Sequence, residues 1–471
     1  MTKVVKFSIT IEIEKGQRTK AEFKVQSNNF EQEVSETMRR LSEIISEEIL
    51  QNYDDQLQKE EAKGIKTIGR ETRSVGMEFG EVKIKRRVYK LQDGKRWKPL
   101  DELLGLEKYQ RRDEKMMEQN CVIAGKSTYR RAAEINSYMS GKVISPSTIG
   151  RDVKKVGSRI AAQDQAFQAE KAGTIRSEIL NCESDGIFIS LQKEKKRKAE
   201  IRMAIAYTGK EWISGDRYRL QNKLMMMAMN ITTEKWQEMI REKIYSKYDL
   251  GSVSLLAVGG DGGNWVGSSF DLVGVKRMER VLDPFHINDV LRAAYGQEID
   301  VSDTLKTLYQ DGFNAISQEL QTLKNKGSAS KRKAKNRCFD YLKNHQDEIL
   351  PLSARGLQYQ NLSSLGCMES NVGKTIDIRM KTSGCSWTLS GAEAMVAILS
   401  HIKELSAHTL RYEEIRAKDR KNHHNSRRNK SVASEYSGQH ASFPILNSGK
   451  ASAPFYDLFR NIIHSELLPL N

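Results

Sequence analysis

The chain has 471 residues, which at roughly 150 per domain allows about three domains and a large buried core. Lysine and arginine number 77 against 61 acids, a net charge of +16 with a pI near 9.4, so a polyanionic partner is favoured over a small neutral one. No stretch approaches 18 unbroken apolar residues, no apolar leader opens the chain, and five scattered cysteines form no Cys-x-x-Cys pair; these features predict a reduced cytoplasmic protein with no membrane span, disulfide framework or cysteine zinc site.

Phe7, Ile9, Ile11 and Ile13 alternate with polar residues, and a second run around Phe23 and Val25 completes a predicted hairpin. Between about 29 and 61, Val34, Met38, Leu41, Ile45, Ile49 and Tyr53 recur at helical spacing among many acids, predicting a long amphipathic helix that meets protein rather than DNA. Strand chemistry returns from Arg73 to Leu91, divided at Gly80-Glu81, and Pro99 is expected to end the unit. Two short helical patterns then flank Gly141 and Ser145-Pro146, a good N-cap and N1 pair. The second leaves Ser147, Thr148, Arg151, Lys154 and Lys155 outside, donors suited to phosphates and base edges. This is a helix-turn-helix candidate, with an ordinary α-hairpin bearing a solvated basic face as the alternative.

Past residue 175 strands are predicted at Ser177 to Leu191 and Ala199 to Tyr207, a helix at Thr233 to Tyr248, and a strand buried on both faces at Val253 to Val258. Strands alternating with helices indicate an α/β sheet. A helical region follows from about 286 to 360. Within it Lys324 to Arg337 holds seven basic residues and no acid, including Lys331 and Arg332, and serves either as a solvated face or as a track for a DNA backbone. A basic, then Ser- and Asn-rich tail closes the chain from 411 to 471.

Asp185 lies beside Gly186 in a strand, and Asp261 follows a buried strand between glycine pairs, both where open sheets place ligands. Two aspartates on adjacent strands with an acid from a nearby helix, here Glu369, make a minimal site for two hard divalent cations such as Mg²⁺ or Mn²⁺.

The segments Thr128-Tyr-Arg-Arg-Ala-Ala-Glu-Ile, Glu183-Ser-Asp-Gly, Val258-Gly-Gly-Asp-Gly-Gly-Asn-Trp, Leu282-Asp-Pro-Phe-His, Gly366-Cys-Met-Glu-Ser-Asn-Val, Arg379-Met-Lys and Ser386-Trp-Thr-Leu-Ser-Gly-Ala occur in this order. Together they resemble the ISLre-type bacterial insertion-sequence transposases, nearly end to end. The resemblance implies a DDE transposase with a ribonuclease H-like core related to the Mutator-like group. It further implies Asp185, Asp261 and Glu369 as the metal-binding triad, and Asp283-Pro-Phe-His286 as the Asp-x-x-His motif. His286 is then either a helix cap or a hydrogen-bonding group near the cut.

The expected fold is α/β: a ribonuclease H-like catalytic core over 175–300 and 363–410, interrupted by a helical insertion over 301–362. An α+β domain over 1–115 and a helix-turn-helix over 116–160 precede it, and the tail follows. The expected activity is binding of element ends in double-stranded DNA with metal-dependent strand cleavage and transfer into a target. The protein is expected to act as a homo-oligomer on DNA at the bacterial nucleoid. A nuclease without strand transfer and an inert DNA-binding descendant of a transposase are the rival readings.

Overall fold

In the computed structural model residues 4–419 are described, apart from 14–16, 27–28, 63, 92, 216, 360–361, 363, 411, 413, 415 and 417. Nearly all of the tail, including the aromatic residues Phe443, Phe455, Tyr456 and Phe459, lies outside the described residues. The described residues up to 412 belong to one compact unit.

The chain begins with antiparallel strands β1 (Val4–Ile13) and β2 (Gln17–Gln26), followed by helix α1 (Phe30–Glu60). Strands β3 (Thr67–Met77) and β4 (Gly80–Lys90) pair tightly, and β5 (Arg96–Trp97) joins the edge of β4. Their turn falls at Glu78-Phe79, two residues before the glycine expected to make it. Pro99 does not end the unit: it is the first residue of α2 (Pro99–Leu103), where a missing N–H costs nothing. Leu100 and Leu106 then enter the core formed by Leu50 and Leu57 of α1 with Val75, Val82 and Ile84. The acidic face of α1 meets protein, as expected: Asp54 is buried, accepts from the Arg87 backbone N–H at 3.0 Å and pairs with the Arg87 guanidinium.

Helices α3 (Glu114–Lys126), α4 (Tyr129–Ser140) and α5 (Pro146–Gln165) follow. The Ser145 hydroxyl accepts from the Thr148 N–H and Gly141 adopts the left-handed conformation that ends α4, so both sequence signals act as read.

The principal sheet comprises β6 (Ile179–Ser190), β7 (Lys198–Tyr207), β10 (Leu224–Met229), β11 (Leu255–Gly260) and β12 (Met278–Leu282), with β8 (Gly209–Ser214) and β9 (Arg217–Gln221) forming a separate hairpin. Its order is β10-β7-β6-β11-β12. The first three strands are antiparallel and the last three, sharing β6, are parallel. Successive side chains project to opposite faces. Leu180, Cys182, Ala204 and Ala206 therefore pack under α6 (Thr233–Lys247), while Ile187, Ile189, Ile201, Met203 and Ile205 face the other way.

Past β11 come α7 (Asn264–Ser268), α8 (Pro284–Tyr295), α9 (Val301–Asp311), α10 (Phe313–Leu323), α11 (Ala329–Asn344) and α12 (Gln346–Ile349). Helices α8 to α11 build their own apolar core around Leu291, Leu308, Leu320 and Leu342. Helix α13 (Met368–Val372) runs into wider, π-type turns over Gly373–Lys381, and α14 (Leu389–His401) returns to the sheet.

Helices α3, α4 and α5 share one continuous core with the sheet and α14, so no packing boundary falls at residue 160. Gly157 of α5 lies against the Ala394 backbone of α14, an approach a side chain would block. Arg112, from the segment before α3, pairs with buried Asp152 of α5, whose other bond comes from the Asn120 amide.

Candidate functional site

The parallel register sets Glu183 opposite Gly259, so continuing it places Asp185 level with Asp261, the first residue beyond β11. On the far side Gly260 pairs with Leu282, and the Asp283 N–H donates to the Gly260 carbonyl at 2.8 Å. Asp283 caps α8 by accepting from the Phe285 N–H, which delivers His286 one turn later to the same sheet edge. Ligand atoms of Asp185, Asp261 and His286 all lie within 4.8 Å of one another.

Each member is oriented. Asp185 accepts from the Gly186 N–H at 2.7 Å and Asp261 from the Gly263 N–H at 2.8 Å. Tyr341 of α11 donates its hydroxyl to the Asp261 carbonyl at 2.9 Å, tying the helical region to the site. His286 Nδ1 faces Asp283 Oδ2 at 3.4 Å. Burial, aided by the neighbouring Asp261 and Asp283 carboxylates and opposed by the Gly186 N–H and His286, pushes the Asp185 carboxyl up to about 6. The hydrogen bond to Asp283, together with the aspartate charges, raises His286 against its burial. Two carboxylates and an imidazole crowded this way suit a divalent cation, whose charge would offset the burial and repulsion that favour a proton on Asp185. Mn²⁺ accepts all three donors, and Mg²⁺ prefers the two carboxylates.

Glu369 is exposed in the first turn of α13 and is not one of these clustered ligands. Its helix is nonetheless fixed to the site. Glu183, two residues before Asp185 on the same face of β6, accepts from the N–H groups of Gly366, Cys367 and Met368 at 3.0, 2.7 and 3.0 Å and from the Tyr207 hydroxyl at 2.7 Å. Burial raises the Glu183 carboxyl, opposed by those donors. A side chain at Gly259 would press on Glu183 and Leu365, so the bare backbone there admits the segment leading into Glu369. Glu183 stands in a quoted segment without a role; its burial beside a helix start could not be read from residue type.

On α5, Ser147, Arg151 and Lys154 are exposed and Thr148 and Lys155 half-buried. Lys155 differs from the others because its ammonium is engaged by Glu107 at 2.8 Å and Gln110 at 3.0 Å. The basic run on α11 divides similarly. Lys331 and Arg332 are exposed, but Lys335 is wholly buried, pairs with Glu298 at 2.5 Å and also donates to the Leu323 and Lys326 carbonyls. It therefore cannot belong to a DNA-facing surface. Lys335→Gln is expected to cost about 3 kcal/mol or more by stranding Glu298 and two carbonyls, whereas Lys331→Gln and Arg332→Gln should change stability by less than about 0.5 kcal/mol. Urea denaturation of the three variants measures the contrast.

Trp387 is core, donating Nε1 to the Met380 carbonyl, and Trp265 bonds Glu200 beneath the Arg202 guanidinium. Among the described residues no helix is long and apolar enough to cross a membrane.

These features define a mixed α/β protein with an acid and imidazole cluster at the edge of its parallel strands. Residues 19–419 match UPF0236, an uncharacterised protein family, and the chain belongs to that family. A relative from Streptococcus gallolyticus, described as "UPF0236 protein in vanSb 3'region", is 25% identical over 381 residues, spanning 79% of this chain and 80% of its own. Among solved structures, the Drosophila P element transposase strand transfer complex overlaps 64% of this chain and 81% of its own at 9% identity and a TM-score of 0.21, a likeness too slight to bear on fold or activity.

Proposed function

We propose that this protein is a DDE-type DNA transposase that binds the ends of an insertion sequence and cuts and joins DNA strands in a divalent-metal-dependent reaction. The observation that carries this reading is the level placement of Asp185 and Asp261 on adjacent parallel strands with His286 beside them. The mixed sheet, with one acid on its central strand and another at the end of the parallel neighbour, supports a ribonuclease H-like core, and the resemblance to ISLre-type transposases supports the reaction.

Asp185, Asp261 and Glu369 would hold two Mg²⁺ or Mn²⁺ ions, with His286 as a neighbouring ligand or hydrogen-bonding group. Such ions supply Lewis-acid activation of an attacking oxygen and stabilisation of the leaving one. The chain's own part is to hold these side chains: Glu183 anchors α13, Asp283 orients His286, and Gly186 and Gly263 aim the aspartates. Helix α5 would engage double-stranded DNA through Ser147, Thr148, Arg151 and Lys154, with Lys155 at its margin and Lys331 and Arg332 following the flank. Juxtaposing two element ends calls for more than one copy of the chain.

The test is incubation of the full chain with DNA that flanks its gene, including any inverted repeats there, in Mg²⁺ or with chelator. Cleavage at the repeat ends and covalent joining into a second DNA are expected only with metal. Cut ends that never join would replace transposition by simple nuclease action, and binding without cutting would leave an inert DNA-binding protein.

A further inference from the structure

Three of the quoted segments, at Thr128-Tyr129, Arg379 and Ser386 to Gly391, take no part in the carboxylate cluster, yet they meet at one cavity. Its volume of about 440 Å³ lies within the roughly 300–1,000 Å³ common for ligand sites. The N-terminal ends of α4, α5 and α14 converge on it, and Arg151, Lys154 and Arg379 line it without any carboxylate. Thr128, Ser145 and Thr388 each take one first-turn N–H with their own hydroxyl, but the partial positive charge of three helix starts around one space still favours an anion.

Arg379 provides an independent sign. It is only 7% exposed, and its Nε donates to the Ala124 carbonyl at 2.5 Å. Its guanidinium lies 4.8 Å from the Trp387 ring centre and 5.3 Å from that of Tyr129. Among the described residues no carboxylate pairs with it, and its terminal nitrogens have no hydrogen-bond acceptor. A desolvated cation without a counter-charge is costly unless an anion compensates it. Arg151 reaches only the Ser147 carbonyl and Thr148 hydroxyl, and Lys154, whose stem approaches Gly391, has no ion pair among the described residues.

The geometry points to a phosphate-binding pocket in which Arg151, Lys154 and Arg379 hold one backbone phosphate of a bound DNA strand. A planar guanidinium fork with two further cations suits phosphate oxygens. A base-stacking role fits less well, since Trp387 spends its N–H on Met380 and lies against both Arg379 and Tyr129. Ser147 and Arg151 of α5 line the pocket and are exposed, so it is open to a strand from solvent. Only the source of the phosphate rests on the proposed function; the anion site itself does not.

The full chain is titrated with inorganic phosphate at constant ionic strength and its thermal unfolding followed. A saturable rise in Tm is expected, with affinity at least tenfold weaker in Arg151→Gln/Lys154→Gln, whose positions are exposed and should not disturb folding. Arg379→Lys, keeping the charge but losing the fork, should weaken it by a smaller factor; if that variant does not fold, the double variant alone decides. On duplex DNA the double variant should lower the salt slope by about one. No rise in wild type, or a rise that survives the double substitution, overturns the pocket. Phosphate binding that needs both residues in a chain that binds no DNA upholds the pocket, overturns DNA as the source, and separately defeats the proposed function.

Discussion

Replacing Asp185 with asparagine is expected to abolish metal-dependent strand cleavage while making the metal-free protein more stable. Asparagine keeps the shape and can still accept from the Gly186 N–H, but lacks the charge that offsets a cation. Losing a ligand that supports several kcal/mol of transition-state stabilisation slows cleavage by about a thousandfold or more. The stability change has the opposite sign. In the folded chain the Asp185 carboxyl is held up at about 6 against an ordinary 3.8, so folding favours its protonated form. Above pH 6 the ionised carboxylate, buried and beside Asp261 and Asp283, costs the fold on the order of 3 kcal/mol. As pH falls through 6 the folded group takes up a proton and the cost fades, vanishing below the unfolded value. Urea denaturation in chelator should therefore favour Asp185→Asn at pH 8 and show parity near pH 4. Equal or lower stability at pH 8 would contradict the burial and crowding of the Asp185 charge. Glu369→Gln, at an exposed position outside the cluster, should lose cleavage without gaining stability.

Gly157→Ala should be among the most damaging single-methyl additions in the molecule. In a helix interior this exchange ordinarily gains up to about 1 kcal/mol. Here the new methyl would stand 2.2 Å from the Ala394 carbonyl oxygen and 2.7 Å from its Cα, backbone atoms that cannot rotate away. The clash forces α5 and α14 apart through a core holding Ile149, Val153, Val156 and Ile398, at a cost of about 3 kcal/mol, more than the propensity gain. Gly267→Ala, where the added methyl meets nothing within 4 Å, is the matched control and should be neutral or stabilising. Loss of stability in both, or in neither, would show that the α5 and α14 contact does not set the cost.

Much of this fold is carried by local rules that a sequence displays. The β1 and β2 hairpin, the long α1, the Ser145-Pro146 start of α5 and the paired aspartates follow from period, capping and glycine placement. Strand β10, Leu224-Met-Met-Met-Ala-Met, shows no alternation because its neighbours cover both faces, and β12 is too short to declare itself. Lys335 was legible in principle: it stands three and seven residues before Cys338 and Leu342, on the buried stripe of α11, yet uniform basicity hid that spacing. The partnership of His286 with the aspartates depends on the register of β11 and β12, which no local pattern specifies, although the Asp-x-x-His resemblance had singled the residue out. Arg379 and Glu183 were silent for a related reason, since each takes a defining hydrogen-bond partner, Ala124 and the N–H groups from Gly366 on, from more than 180 residues away in sequence.

The shared core of α5 and α14 also limits how this chain can diversify. A recognition module on its own linker can be exchanged as a cassette, bringing a new target preference in one recombination event. Here a transplanted 129–165 segment would present Ile149, Val153, Val156 and Ile160 to a foreign α14, with Gly157 needing the same bare approach to position 394. Whatever α5 contacts, its preference can drift only through exposed side chains such as Ser147, Arg151 and Lys154, one substitution at a time, or through joint inheritance of two segments more than 220 residues apart.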